Sequence, residues 1–332
     1  MSFRAVCRRW RSLAPLCCWS PDSTGSSTTS IQYPWLMLIQ REKGICDFYD
    51  PRDNVTYHMY NAELSDCVIR FSMDGWLLVS QGPRSMFLYE PFTKERIGLP
   101  NLREDYCFNG ICFSAPPPSS NSIIFGICHT SPEWVSICYL GPGREKWHTC
   151  DLINDRLFLP SWNNPVFLDG YFYCLGQDGS VGVSEVRETV GCTWDILYKP
   201  QPLCSPSAIS RNFLVSFEKE LLSVFVGNSG KWVNVFKLNP LLYEWVEVKS
   251  LGNQMLFVSQ TASLAVRTQE ERMKNKTYFS IFNNVDGNNM FYSMETCQYQ
   301  TFASDYPIRN FYDTKEQLHS TWIQPRLIPT FQ

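Results

Sequence analysis

The sequence predicts an all-β fold, and three observations predict it. Aromatic residues make up 15% of the chain and are dispersed along it, beside many Val, Ile and Thr, the types that favour strands. Charged residues are only 18%, too few for long solvated helices or for a disordered chain. A three-beat pattern also recurs: apolar run, turn, apolar run, Pro stop, third run. It is clearest from Gly75 to Pro100, GWLLVSQGPRSMFLYEPFTKERIGLP, where Trp76 to Val79, Ser85 to Tyr89 and Thr93 to Ile97 read as three strands. Glu90-Pro91 separates the second from the third.

Taken in order, residues 2–14, SFRAVCRRWRSLA, read as one short amphipathic helix. Phe3, Val6, Trp10 and Leu13 fall on one face and the arginines on the other; Ser2 can cap the start and Pro15 lies past the end. Residues 20–30, SPDSTGSSTTS, are poor in apolar side chains and read as a linker. The strands begin after it, and the β-domain is expected over 31–328.

A first meander holds Trp35 to Gln40, Ile45 to Tyr49 and Val55 to Tyr60, and the 75–100 stretch is the second. A third comprises Phe108 to Ser114, Ser122 to His129, Trp134 to Leu140 and Lys146 to Cys150. A fourth runs from Val166 through Tyr171 to Leu175 and Val181 to Val186, ending at Thr193 to Tyr198. A fifth holds Phe213 to Phe217, Leu221 to Val226, Trp232 to Leu238 and Glu244 to Val248, and the last runs from Leu256 to Thr301. A spacing of roughly 40 to 55 residues is that of propeller blades. Register marks are Asp50-Pro51, Glu90-Pro91, Gly141-Pro142 and Asn239-Pro240, read as turns from the third strand of a blade to its outer strand, where Pro forfeits no ladder hydrogen bond. Inner strands such as Trp76 to Val79 are apolar on both faces, as stacking on both sides requires. Six blades fit the count, with seven the alternative. Ring closure is expected between the strand from Trp35 and the tail near Trp322-Ile323. A pair of β-sandwiches is the competing arrangement.

Two segments resemble a known family. Val6-Cys7-Arg8-Arg9-Trp10-Arg11-Ser12-Leu13 resembles the closing helix of an F-box, so residues 1–19 are read as an F-box truncated to that helix. Gly75-Trp76-Leu77-Leu78, Leu88-Tyr89-Glu90-Pro91-Phe92-Thr93-Lys94 and Ile97-Gly98-Leu99-Pro100 resemble the core of the plant F-box-associated, kelch-like propeller domain, with Glu90 where the family commonly has Asn. The resemblance implies a substrate-recognition subunit of an SCF-type cullin–RING ubiquitin ligase. In such proteins the F-box contacts a Skp-type adaptor, here through Val6, Trp10 and Leu13, and the propeller grips a target protein. The opening helices of an F-box, which supply most of the adaptor contact in that family, are absent from this sequence. A stand-alone interaction propeller and a propeller enzyme with a channel active site are the alternatives.

The composition sets further limits. The chain has 332 residues, and its net charge of −3 gives no support for a nucleic-acid surface. No apolar run approaches the roughly 20 residues of a membrane-spanning helix. The apolar run Leu13 to Trp19 behind Arg4, Arg8, Arg9 and Arg11 is broken by Pro15, unlike a signal peptide. Fourteen scattered cysteines without a C-x-x-C pair read as buried free thiols, hence a reducing compartment, cytoplasm or nucleus or both. The sequons at Asn54 and Asn275 carry sugar only in a secreted chain.

No catalytic, cofactor or metal residue emerges. His58, His129, His148 and His319 lack partners at metal spacing, and His148 with Cys150 is at most a two-ligand hint. Asp50, Asp74 and Asp169 fit turn chemistry, whereas propeller glycosidases need paired carboxylates. Gly141-Pro142-Gly143-Arg144 lacks the Lys and following helix of a phosphate loop. Ser205, Ser207 and Ser210 lack a nucleophile elbow. Binding is therefore expected on loops: Gln81–Arg84, Ala115–Asn121, Glu185–Gly191 and Gln269–Asn275. Trp162 and Trp194 are expected to pack in blade cores, with exposure as anchors the alternative.

Overall fold

The computed structural model describes residues 33–40, 43–117, 119–187, 191–197, 209–283, 287–302, 314–316 and 320–325. The expected helix over 2–14, with Val6, Trp10 and Leu13, and the linker over 20–30 lie outside these residues, as do Ser205, Ser207 and His319. The described chain is all-β and forms a six-bladed propeller.

The first blade runs outward from Ser320–Ile323 through Trp35–Gln40 and Ile45–Asp50 to Val55–Tyr60. The second holds Val68–Met73, Trp76–Gln81, Ser85–Glu90 and Glu95–Gly98. The third holds Gly110–Phe113, Ile124–Ser131, Trp134–Leu140 and His148–Ile153. The fourth holds Val166–Leu168, Tyr171–Leu175, Val181–Ser184 and Asp195–Leu197, with a small hairpin of Val186–Arg187 and Gly191–Cys192 before its outer strand. The fifth holds Ile209–Phe217, Glu220–Gly227, Val233–Asn239 and Glu244–Val248.

The sixth blade departs from the meander. Its order outward is Ser263–Arg267, Gln254–Val258, Lys276–Asn283, Asn289–Ser293 and Gln298–Gln300. Gln254–Val258 runs parallel to Lys276–Asn283, and a hairpin with its tip at 259–262 lies toward the axis. Sequence reading missed Ser263–Arg267 here and Val68–Met73 in the second blade.

Ring closure falls where expected. Ser320–Ile323 pairs antiparallel with Trp35–Gln40, placing Trp35 opposite Ile323 and Leu36 opposite Trp322. The core is six layers between neighbouring blades rather than one central cluster. In Trp76–Gln81, Leu77 and Val79 pack toward the first blade and Trp76 and Leu78 toward the third, which is why this strand is apolar on both faces. Outer strands such as Val55–Tyr60 bury little and read as mixed polar and apolar.

Aromatic donors and acceptors stitch each layer. Trp147 Nε1 donates to Pro100 O at 2.7 Å, Trp194 Nε1 to Asn154 Oδ1 at 2.8 Å, and Trp245 Nε1 to Gly179 O at 2.9 Å. Tyr89 OH donates to Asn61 Oδ1 at 2.9 Å, Trp322 Nε1 to Val258 O at 3.2 Å, and Tyr292 hydrogen-bonds the Val233 backbone. Each bond reaches from one blade to the blade before it, so every interface of the ring carries one. Large rings fill the layers, and these six find a polar partner across them, whereas the fully buried Trp76 Nε1 has none among the described residues.

The turns into the outer strands share one design. Asn54, Lys94, Tyr243 and Cys297 each precede an outer strand and each adopt positive φ, between 52° and 63°. The residue opening the turn caps it: Asp50 Oδ1 accepts from Arg52 N at 2.9 Å, Asn239 Oδ1 from Leu241 N at 2.9 Å, and Glu90 from Thr93 N. Asp, Glu and Asn all serve because each supplies a side-chain oxygen acceptor for a turn amide.

Candidate interaction faces

Antiparallel alternation sorts the loops onto two faces. One face, the mouth, carries the connections entering each inner strand and those between second and third strands. The opposite face carries the turns after inner strands and the turns into outer strands. Of the four loops singled out in the sequence, Gln81–Arg84 lies on the mouth face. Ala115–Asn121, Glu185–Gly191 and Gln269–Asn275 lie on the opposite one, the first two only in part within the described residues.

The mouth face is built by the segment that follows His148–Ile153. Asn154 N and Phe158 N donate to Glu133 O and Pro132 O, at 2.7 and 2.9 Å, holding its start on the third blade. Gln177 N donates to Leu159 O and Ser161 N to Leu175 O, both at 2.9 Å, holding its end on the fourth. Either side of the largely buried stretch from Phe158 to Ser161 the chain turns outward: Leu157 is 68% and Trp162 55% exposed, and Trp134 and Ile153, paired in register on the third blade, are also exposed. Trp162 therefore corrects the expectation of core packing. Trp194 fits it: the ring lies against Gly182 and edge-on to Phe158 at 5.2 Å. Both were aromatic residues near strand ends, and only the backbone path over the blade decides which one turns out.

Trp162 borders a cavity of 330 Å³ whose other lining residues include Ser161, Gln177, Arg211, Asn212 and Gln260. A set of hydrogen bonds bridges the blades around the channel. Asn163 Nδ2 donates to Asn212 O at 3.0 Å, and Asn164 Nδ2 to Arg70 O at 2.9 Å, where a bulge turns the Arg70 carbonyl inward. Asn164 Oδ1 accepts from Ile111 N at 3.0 Å. The hairpin tip of the sixth blade spans the axis, Thr261 O accepting from Ser72 N at 3.2 Å and Thr261 Oγ1 donating to Ser320 O at 2.9 Å. Gly110 allows the closest approach, because a Cβ there would collide with Asn163 O. The arrangement is a shallow basin with an aromatic rim over a bridged channel.

The residues weighed for chemistry have ordinary structural roles. Asp74 and Asp169 sit at positive φ in hairpin turns, and Asp50 caps its own turn. Burial raises the Asp50 pKa, with Arg52 opposing that shift. His129 Nδ1 lies 2.9 Å from Asn109 Oδ1, His58 Nδ1 lies 2.6 Å from Asp47 Oδ1, and Ser210 Oγ donates to Gly227 O at 2.9 Å. The described lining of the basin contains no Asp or Glu, and no group of three metal-ligating side chains occurs among the described residues. Cys46, Cys112, Cys128, Cys138 and Cys174 are buried free thiols, whereas Cys107 and Cys297 are exposed, against the expectation of burial; burial pushes Cys46, Cys128 and Cys138 up to about 12.

Six blades, a ring closed by the last strand, two loop-built faces and a bridged channel define a six-bladed β-propeller of the kelch-like kind. The chain belongs to the KIB1-4 beta-propeller family, which residues 48–302 match. Among its relatives, F-box/kelch-repeat protein At1g57790 of Arabidopsis thaliana is 33% identical over 301 residues, covering 88% of this chain and 82% of the relative. F-box protein At3g56470 of the same plant is 23% identical over 331 residues, covering 97% and 82%. F-box/kelch-repeat protein KIB1, also from that plant, is 24% identical over 283 residues, covering 78% and 68%. The solved structure of the Malassezia sympodialis allergen Mala s 1 has a TM-score of 0.41 at 8% identity, covering 78% of this chain and 84% of that one.

Proposed function

We propose that this chain is the substrate-recognition subunit of an SCF-type cullin–RING ubiquitin ligase, working in the cytoplasm, the nucleus or both. One observation carries the reading: an F-box-like closing segment, Val6 to Leu13, precedes a propeller whose relatives bear F-box names over most of their length. Val6, Trp10 and Leu13 contribute to the Skp-type adaptor contact. The exposed Trp162 on the basin, with the exposed Leu157, Ile153 and Trp134 elsewhere on the mouth face, receives the target, since a rigid aromatic anchor rimmed by polar groups is the usual centre of a protein interface. The mechanism is proximity: the propeller holds a target lysine near an enzyme carried by the rest of the ligase and contributes no chemistry of its own.

Co-purification from plant cells tests both halves. The Skp-type adaptor is expected with a chain extended upstream by the opening helices of an F-box, and Val6→Ala with Trp10→Ala and Leu13→Ala should abolish it. Target proteins read by mass spectrometry should be lost with Trp162→Ala while the adaptor remains. Targets without adaptor in every form would leave a stand-alone interaction propeller and overturn the ligase reading.

A further inference from the structure

On the face opposite the mouth, a cavity of 260 Å³ lies between the third blade and the small hairpin of the fourth. Its lining includes Asn121, Tyr139, Arg144 and His148, with Pro142 and Val186 as apolar wall. Four successive parts of the third blade supply the polar members. Asn121 comes from the loop after the inner strand, Tyr139 from Trp134–Leu140, Arg144 from the turn, and His148 from the outer strand. The turn fixes Arg144: its N–H donates to Gly141 O at 3.2 Å, and a Cβ on Gly141 would stand 3.4 Å from Arg144 Cγ, so the side chain folds back over the turn.

These groups are donors without matching acceptors. Arg187 pairs with Glu185 at 2.7 Å and Arg84 with Asp105 at 2.6 Å, whereas Arg144 meets no carboxylate among the described residues. Tyr139 is only 9% exposed, stacks on His148 with centroids 5.3 Å apart, and its hydroxyl opens to the cavity with no hydrogen-bond partner among the described residues. Burial raises the phenol's pKa, with Arg144 close enough to oppose it, so the hydroxyl keeps its proton and can donate. The cavity lining contains no Asp or Glu among the described residues.

A guanidinium fork, an imidazole, a phenol and a carboxamide offer more hydrogen bonds than a carboxylate's two oxygens can use. A phosphomonoester has three terminal oxygens and close to two negative charges, and it suits an arginine fork. We propose that this cavity binds a phosphomonoester, with Arg144 and His148 on the phosphoryl oxygens, Tyr139 and Asn121 completing the shell, and Pro142 and Val186 against the ester stem. In a recognition subunit the phosphoryl group is carried by a phosphorylated side chain of the target; that clause alone rests on the ligase reading.

The test is isothermal titration of the full chain at fixed ionic strength with O-phospho-L-serine, L-serine, inorganic phosphate and a phosphoserine peptide. O-Phospho-L-serine should bind saturably and L-serine should not. Arg144→Gln should weaken binding about tenfold or more, the loss expected for a charge-assisted forked contact. Arg84→Gln, on the mouth face, should leave binding unchanged. Tyr139→Phe keeps the stacked ring and should weaken binding a few-fold, which guards against misfolding of the arginine variant. A peptide tighter than the amino acid assigns a protein source, and the reverse order a small metabolite. No saturable binding, or equal losses in Arg144→Gln and Arg84→Gln, overturns the site. The ligase reading is scored separately, by adaptor co-purification through residues 6–13.

Discussion

The Trp322 indole N–H donates to Val258 O across 3.2 Å, while its own strand pairs with Trp35–Gln40. One side chain thus ties the last described strand to the sixth blade as its backbone completes the first. Trp322 is fully buried. Trp322→Ala should cost about 3–5 kcal/mol, as truncations of large core aromatics do. Trp322→Phe, which keeps most of the ring and loses the hydrogen bond, should cost about 1–3 kcal/mol by stranding a buried acceptor. Urea unfolding followed by tryptophan fluorescence measures both, and near-equal costs would show that the bond contributes little.

Gly110 and Gly98 make a matched pair. A methyl on Gly110 would meet the Asn163 carbonyl oxygen, part of the bridge across the channel, whereas a methyl on Gly98 meets nothing. Gly110→Ala should destabilise by about 1–3 kcal/mol through forced backbone movement, and Gly98→Ala should be neutral within about 0.5 kcal/mol. Thermal melts of the two variants suffice, and equal melting temperatures would refute the close approach.

Asp50 carries a pH dependence of known sign. Its folded-state pKa is raised, chiefly by burial, so folding disfavours the charged carboxylate despite Arg52. Its contribution is most favourable below the ordinary carboxylate range and is lost as pH rises through the raised folded value. Asp50→Asn retains the acceptor for Arg52 N–H, as Asn239 does for Leu241 in the fifth blade. The variant should be more stable than the parent at pH 7, the difference shrinking as pH falls through the raised folded value and levelling off below the ordinary carboxylate range. A constant difference across that range would exclude the buried charge as its cause.

Lys276 should titrate far below an ordinary lysine. Burial first, and Arg272 second, lower its pKa to about 8, although its ammonium stands 4.2 Å from the Phe291 ring centroid. In the NMR spectrum of the reductively methylated chain, one lysine resonance should titrate near 8 and vanish in Lys276→Met. For a base whose folded pKa is lowered, stability relative to that variant should rise between pH 8 and the unfolded value of about 10.4.

Trp162 and Trp194 separate surface from core. Trp162→Ala should leave unfolding within about 0.5 kcal/mol of the parent, whereas Trp194→Ala should cost about 3 kcal/mol or more, losing the Asn154 hydrogen bond and opening space over Gly182. Chemical denaturation of the two variants side by side decides it.

Much of this was legible in the residues. Asp50-Pro51, Glu90-Pro91 and Asn239-Pro240 marked outer-strand turns because Pro and a capping oxygen are local requirements, and local requirements leave local traces. The double-sided run Trp76 to Val79 disclosed stacking on both sides. What stayed hidden depends on distant partners. Val68–Met73 meets Asn164 and Thr261 across the channel through the Arg70 carbonyl and the Ser72 amide, backbone contacts that leave no trace in side-chain type. Ser263–Arg267 becomes innermost because Gln254–Val258 pairs in parallel with a strand further along, which no turn motif announces. The Arg144 cavity was likewise unreadable: Asn121 and Val186 are far apart in sequence, and Gly141-Pro142-Gly143-Arg144, set aside as a phosphate loop, gains its interest only from the walls around it.

The union of Ser320–Ile323 with Trp35–Gln40 has a consequence for biosynthesis. A ribosome delivers the first of these segments nearly three hundred residues before the second. Throughout that interval one border of the earliest sheet stands bare, with Trp35 and Leu36 awaiting Ile323 and Trp322. Nascent chains of this protein are therefore most vulnerable to clumping, and most in need of chaperones, until the final turn of the ring emerges from the exit tunnel.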